Sequence, residues 1–80
     1  MADDAAIRMA IRAAVHARGQ GKTICPSEVA RALADDWRPL MPDVRRVAST
    51  MAAAGEIAVT RKGAPVDAGI ARGPIRLGLT

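Results

Sequence analysis

Eighty residues carrying a formal net charge of +4, half of them apolar and with Trp37 as the only aromatic side chain, describe one small domain. Its core must be built from Ala, Val, Ile, Leu and Met, and a chain of this size hides only roughly 60% of the surface its unfolded form exposes. The apolar share argues against disorder, the single cysteine, Cys25, excludes an internal disulfide, and no apolar run approaches the roughly 20 residues that span a bilayer.

Asp3 and Asp4 open the chain with acidic rather than basic character, so no signal peptide is expected, and the expected location is cytoplasmic. Either aspartate can cap a first helix over about Asp4 to Arg18. Its buried stripe is Ile7, Ala10, Ile11, Ala14 and Val15, at helical spacing, with Arg8, Arg12 and His16 pointing away. His16 has no second histidine and reads as a solvated residue rather than a metal ligand. No cofactor or metal is expected.

Gly19 to Thr23, GQGKT, resembles the end of a phosphate-binding loop. The match fails twice: His16 stands where the Walker pattern needs glycine, and a helix precedes the segment where a strand should. Gly19 reads as a helix C-cap, and Thr23-Ile24 as a very short strand.

A second helix is predicted over about Pro26 to Asp35. Pro26 fits its first position, Cys25 the N-cap and Glu28 the third position, where a negative charge favours the helix dipole. Val29, Ala30 and Leu33 face inward. Glu28–Arg31 and Arg31–Asp35 stand at pairing distance outside. Cys25 reads as a structural cysteine. Trp37 is expected to pack across the following turn, and Pro39 with Pro42 fixes the start of the third helix.

The stretch Leu40 to Gly55, which holds that third helix, is the centre of the functional reading. Leu40, Val44, Val47, Met51 and Ala54 recur at steps of four and three and form one stripe. Arg45, Arg46, Ser49 and Ala53 fall opposite. Gly55 suits the left-handed position just past the helix end. Beyond it the period changes to that of a strand: Ile57 and Val59 alternate with Ala58 and Thr60, and Ile75, Leu77 and Leu79 alternate with Arg76 and Gly78. Between these two strands lies a long, basic, Gly/Pro-containing loop that starts with Arg61 and Lys62. The expected order is helix, short strand, helix, helix, strand, wing, strand, an α+β winged helix-turn-helix in one domain over residues 1–80.

Charge follows the same division. Residues 1–37 carry five basic and five acidic side chains, while residues 38–80 carry seven basic against three acidic. The whole excess lies in the third helix and after it, which suits a phosphate backbone or another acidic surface.

Four pieces, TICPSEVARAL (Thr23–Leu33), WRPLMPDVRRVA (Trp37–Ala48), GEIAVTRKG (Gly55–Gly63) and GPIRL (Gly73–Leu77), together resemble a small bacterial winged-helix domain family of unknown function, domain of unknown function 3253. The resemblance implies the winged-helix fold and brings no catalytic residues with it.

Two functional expectations result. In the first, the third helix enters the major groove of double-stranded DNA with Arg45, Arg46 and Ser49 near bases or phosphates. Arg61, Lys62 and Arg72 then hold the backbone through the wing. Ala52 and Ala53 allow close approach. Without Asn or Gln on that face, contacts should be mainly to phosphate. The alternative is a protein-interaction or homodimerisation module, to which Met9, off the buried stripe of the first helix, contributes an exposed apolar side chain. RNA is less favoured, since only Trp37 could stack on bases. An enzyme is not expected: no carboxylate pair, Cys-His arrangement or metal spacing is placed on a cleft. No membrane partner is expected.

Overall fold

The computed structural model describes residues 3–80. It is α+β: three α-helices packed with a four-stranded antiparallel sheet. In chain order the elements are α1 (Asp4–Arg18), β1 (Thr23–Ile24), α2 (Pro26–Leu33), a 3-10 turn (Arg38–Leu40), α3 (Met41–Ala53), β2 (Ala58–Arg61), β3 (Ala64–Pro65) and β4 (Arg76–Gly78). None of the helices is long and apolar enough to cross a membrane.

α1 begins as its sequence dictates. Asp3 is the N-cap and its Oδ1 accepts from the Ala6 N–H at 2.8 Å, satisfying a donor that the first helical turn leaves open. Ile7, Ile11 and Val15 are buried, with Ala10 and Ala14 packed beside them. At α2, Glu28 Oε2 accepts from the Cys25 N–H at 2.7 Å, half of a capping box. α2 stops at Leu33 rather than at Asp35: Ala34 is extended, and Asp35 and Asp36 fall outside. Two carboxylates continuing the helix would stand at the negative end of its dipole. The pairs expected on its outer side do not form among the described residues. Arg31 instead lies over the Trp37 ring, 4.7 Å from its centre, and so does Arg38. Trp37 is thus both packed against the core and flanked by two guanidinium groups.

α3 buries Val44, Val47, Ala48 and Met51, following Leu40. Ala54, expected in the stripe, is exposed, and Ala48 takes its share of the core. The helix ends in a Schellman motif: the Glu56 N–H donates to the Met51 carbonyl at 2.9 Å and the Gly55 N–H to that of Ala52 at 3.0 Å, with Gly55 at φ 78°. This places Glu56 against α1, where Arg8 donates to its Oε2 at 3.0 Å and Arg12 to its Oε1. Arg8 and Arg12 therefore clamp the end of α3 instead of pointing freely into solvent.

The sheet order is β1-β4-β2-β3. β4 is central, pairing Leu77 with both Ile24 and Val59. Gly78 leaves room for the chain entering β1, since a β-carbon there would sit 3.0 Å from the Lys22 carbonyl oxygen and 3.2 Å from Thr23 Cγ2. The hairpin differs from expectation. β2 does not run through one long loop to its partner. It turns back at once into β3 through Lys62-Gly63, with Arg61 opposite Ala64. Both turn residues have positive φ, 52° and 83°, the type I′ geometry that matches strand twist. Residues 66–75 then return past α3 to reach β4.

Two expectations follow from the fold. Val47→Asp buries a charge with no partner, and should abolish the cooperative urea transition; Met51→Ala should lower unfolding stability by about 2–5 kcal/mol. Lys62 holds a left-handed conformation that asparagine tolerates better, so Lys62→Asn should raise stability by roughly 0.5–1 kcal/mol in the same urea measurement.

Candidate nucleic-acid interface

With Val44, Val47, Ala48 and Met51 facing the core, helical geometry leaves Pro42, Arg46, Ser49 and Ala53 as the outermost ridge of α3. Arg45 and Ala52 lie to one side of it. Residues 66–73 run along that side and take part of the face that the sequence suggested was free.

Asp67 anchors this return segment. Its Oδ1 accepts from the Ser49 hydroxyl at 2.7 Å and from the Gly69 N–H at 2.8 Å, the second contact being a local aspartate turn. Ala68 is buried against the core. Ser49, Ala52 and Ala53 form one wall of a cleft of about 370 Å³ whose other wall is Pro65 to Ala68. A second cleft, of about 480 Å³, runs along the ridge between Pro42, Arg45, Arg46 and Ser49 and the residues Ala68 and Gly69.

Arg45 is half-buried and reaches across this junction. Its Nη2 donates to the Ala71 carbonyl at 2.6 Å and its Nη1 to the Gly73 carbonyl at 3.3 Å. Arg61, at the end of β2, approaches the same point: a β-carbon at Gly73 would lie 3.3 Å from its Nη2. Gly73 has φ 79°. Arg72, exposed, sits between the two residues whose carbonyls hold Arg45. Three arginines thus gather at residues 71–73, with exposed Lys62 on the adjoining turn. None of the four forms an ion pair among the described residues. Carbonyl oxygens orient a guanidinium without neutralising its charge.

Arg46 has the opposite situation. It forms a two-pronged pair with Asp4 at the start of α1, Nη1 to Oδ2 at 2.9 Å and Nη2 to Oδ1 at 2.7 Å, and also reaches Asp43 at 3.3 Å. The expectation that both arginines point freely into water therefore needs correction. Arg46 is outward but paired, and Arg45 is a strut under the return segment. Of the six residues expected at the interface, the fold brings Arg45, Arg61, Lys62 and Arg72 to one flank and assigns Arg46 and Ser49 to carboxylates on the ridge.

Those partners escaped sequence reasoning, as did a third arrangement at the sheet edge. Arg76 donates to the Thr23 hydroxyl at 2.9 Å, to the Thr23 carbonyl at 3.0 Å and to Cys25 Sγ at 2.7 Å. Period and spacing carry no sign of such contacts, which join residues 51 or more positions apart. His16 is exposed, and among the described residues no group of three His, Cys, Asp or Glu side chains converges.

The ridge contacts set two proton affinities. The Arg46 guanidinium holds the Asp4 carboxyl below the usual aspartate range, through its hydrogen bonds first and its charge second. The Ser49 hydroxyl and then the Gly69 N–H do the same for Asp67. A lowered folded value means that each contact contributes fully above the unfolded aspartate value of about 3.9, and its contribution is lost as pH falls through the folded value. A carboxyl-carbon NMR titration should find both midpoints below about 3.9. Arg46→Ala should return Asp4 to the ordinary range and leave Asp67 unmoved; a normal Asp4 midpoint in the unsubstituted protein would show that the pair does not persist in solution.

A family model described as protein of unknown function (DUF3253) matches residues 4–80. No curated protein matches the chain.

Proposed function

We propose, from the premise that this chain belongs to the DUF3253 family of proteins of unknown function, that it is a double-stranded-DNA-binding module working as a winged helix. The observation that carries this reading is the gathering of Arg45, Arg61 and Arg72 around Gly73, with no carboxylate partner among the described residues. Phosphate is the ligand class that planar guanidinium groups and an adjoining ammonium favour. A duplex backbone presents it as a row that a flank of this kind can follow.

The turn residue Lys62 supports the reading independently. Asparagine or glycine is the ordinary choice for a type I′ turn. A lysine held at positive φ keeps a cation at the tip of the hairpin against the local preference, a conflict of the kind that marks functional positions. In this arrangement the wing and residues 71–73 lie on the phosphates while the ridge of α3 faces the major groove. Small Ala53 and Pro42 permit approach, and the ridge has no Asn or Gln to read adenine. Binding is therefore mainly to the backbone, in the reducing cytoplasm that a lone cysteine suits.

A protein-interaction or homodimerisation role is the second reading, favoured by Ile70, 80% exposed on the return segment, and Met9, 70% exposed on α1. A monomer at all concentrations in sedimentation would leave those side chains without a second copy to cover them.

Anisotropy with a labelled duplex over a range of salt tests the primary reading. Four phosphate contacts give a log–log salt slope of about −3.6, and Arg61→Ala with Arg72→Ala should make it shallower by about 2 while the fold is kept. No binding at low salt, or a slope that the double substitution does not change, rules out this interface.

A further inference from the structure

Two donors stand on the outer ridge of α3, the Arg46 guanidinium and the Ser49 hydroxyl. Each is occupied by a carboxylate from a different flanking segment. Asp4 reaches Arg46 from the start of α1 and meets its fork with both oxygens, at 2.7 and 2.9 Å. Asp67 reaches Ser49 from the return segment at 2.7 Å. The α1 cap is supplied by Asp3, and both Asp4 and Asp67 are exposed.

The two-pronged Asp4–Arg46 geometry is also the one a phosphate takes on an arginine. A carboxylate that accepts through the same fork must leave before a phosphate can enter. The same holds at Ser49, where an anionic oxygen already takes the hydroxyl proton. The flank around Gly73 has no such occupant.

We propose that Asp4 and Asp67 are internal competitors for phosphate, blocking Arg46 and Ser49 so that α3 engages a duplex only when the carboxylates are displaced. This rests on the duplex-binding reading above. It divides the candidate interface into an always-available flank and a gated ridge. Backbone contact through the flank then gives weak, general attachment, and the ridge joins only where the duplex holds a phosphate or a base edge in a position that outcompetes an aspartate. Asp4 and Asp67 act through Arg46 and Ser49 and so are specificity-determining by position, without touching the duplex themselves.

The test is duplex anisotropy with Asp4→Asn/Asp67→Asn, a nearly isosteric change. It should tighten binding of a random-sequence duplex about tenfold at low salt and steepen the log–log salt slope by about 0.9, the increment for one further phosphate contact. Removing two negative charges anywhere aids binding to an anion, so Asp35→Asn/Asp36→Asn serves as the control and should give a clearly smaller gain. The decisive arm is the background: with Arg46→Ala, the Asp4→Asn gain should fall to no more than the control's. Thermal unfolding of each variant checks that the fold is retained. If the unsubstituted protein binds the duplex but the Asp4/Asp67 variant gains no more than the control, the competition is refuted and duplex binding stands. A gain above the control's that persists without Arg46 refutes it equally. If no variant binds, duplex binding and the gated ridge fall together.

Discussion

The central place of β4 constrains everything outside the core. The last strand pairs with β1 on one side and β2 on the other, while β3, immediately before it in the sheet-forming order, lies at the far edge. Residues 66–75 must therefore bring the chain from the outer edge back past β2, and the way they take lies along α3. Ala68 is buried there, Asp67 holds Ser49, and the carbonyls of Ala71 and Gly73 hold Arg45. Once the return is fixed, so is the chemistry of the exposed side of α3. The flank next to the segment receives arginines whose charge is uncompensated, and the ridge beyond it receives carboxylates.

A second set of contacts keeps α3 at one angle to the rest. The Schellman ending turns Glu56 towards α1, where Arg8 and Arg12 meet it, and Arg46 binds Asp4 near the opposite end. These pairs lie at the surface, where water and salt screen them, so each contributes little net stability. The interleaved aliphatic side chains of α1 and α3 supply most of the attraction, at roughly 25 cal/mol for each Å² of apolar surface removed from water. The ion pairs select among orientations that the apolar surfaces alone tolerate. A core without Phe or Tyr has few large interlocking shapes, which makes that selection more useful here than in an aromatic-rich domain.

The α+β class and the ends of α1 and α3 could be read from the sequence because they depend on neighbours a few positions away. Ile7, Ile11 and Val15 show helical spacing directly, and Asp3, Pro26, Gly19 and Gly55 mark boundaries by their own backbone chemistry. Ala54 falls at the helical spacing yet is exposed, because it is the C-cap where the helix ends, and alanine gives little signal on either side of a boundary. The hairpin is harder. Ile57 and Val59 announce a strand and Arg61 to Pro65 a basic turn, but Ala64-Pro65 is too short to show the alternation of a strand, so the sequence does not reveal that this turn closes on β3. Arg45 and Arg46 show the limit most clearly. Both lie away from the buried stripe, as periodicity requires, yet each also has a partner 26 to 42 positions distant. Periodicity reports which side of a helix avoids the core, and it cannot report what another segment lays upon that side.

This distinction bears on the proposed duplex binding. Formal charge places the excess on residues 38–80 as a whole; among the described residues four of its cations without an ion pair, Arg45, Arg61, Lys62 and Arg72, belong to the wing and the flank at residues 71–73. A field centred on the flank orients an approaching polyanion by its backbone first. The ridge of α3, where the carboxylates of Asp4, Asp43 and Asp67 outnumber the one guanidinium of Arg46, adds no long-range attraction for a polyanion. Its contribution is confined to short range, after contact, when desolvation strengthens whichever partner remains. In the proposed complex, attachment and discrimination are carried by different side chains of the same helix and hairpin, and the residues that separate them are aspartates that composition alone would count only as a reduction in net charge.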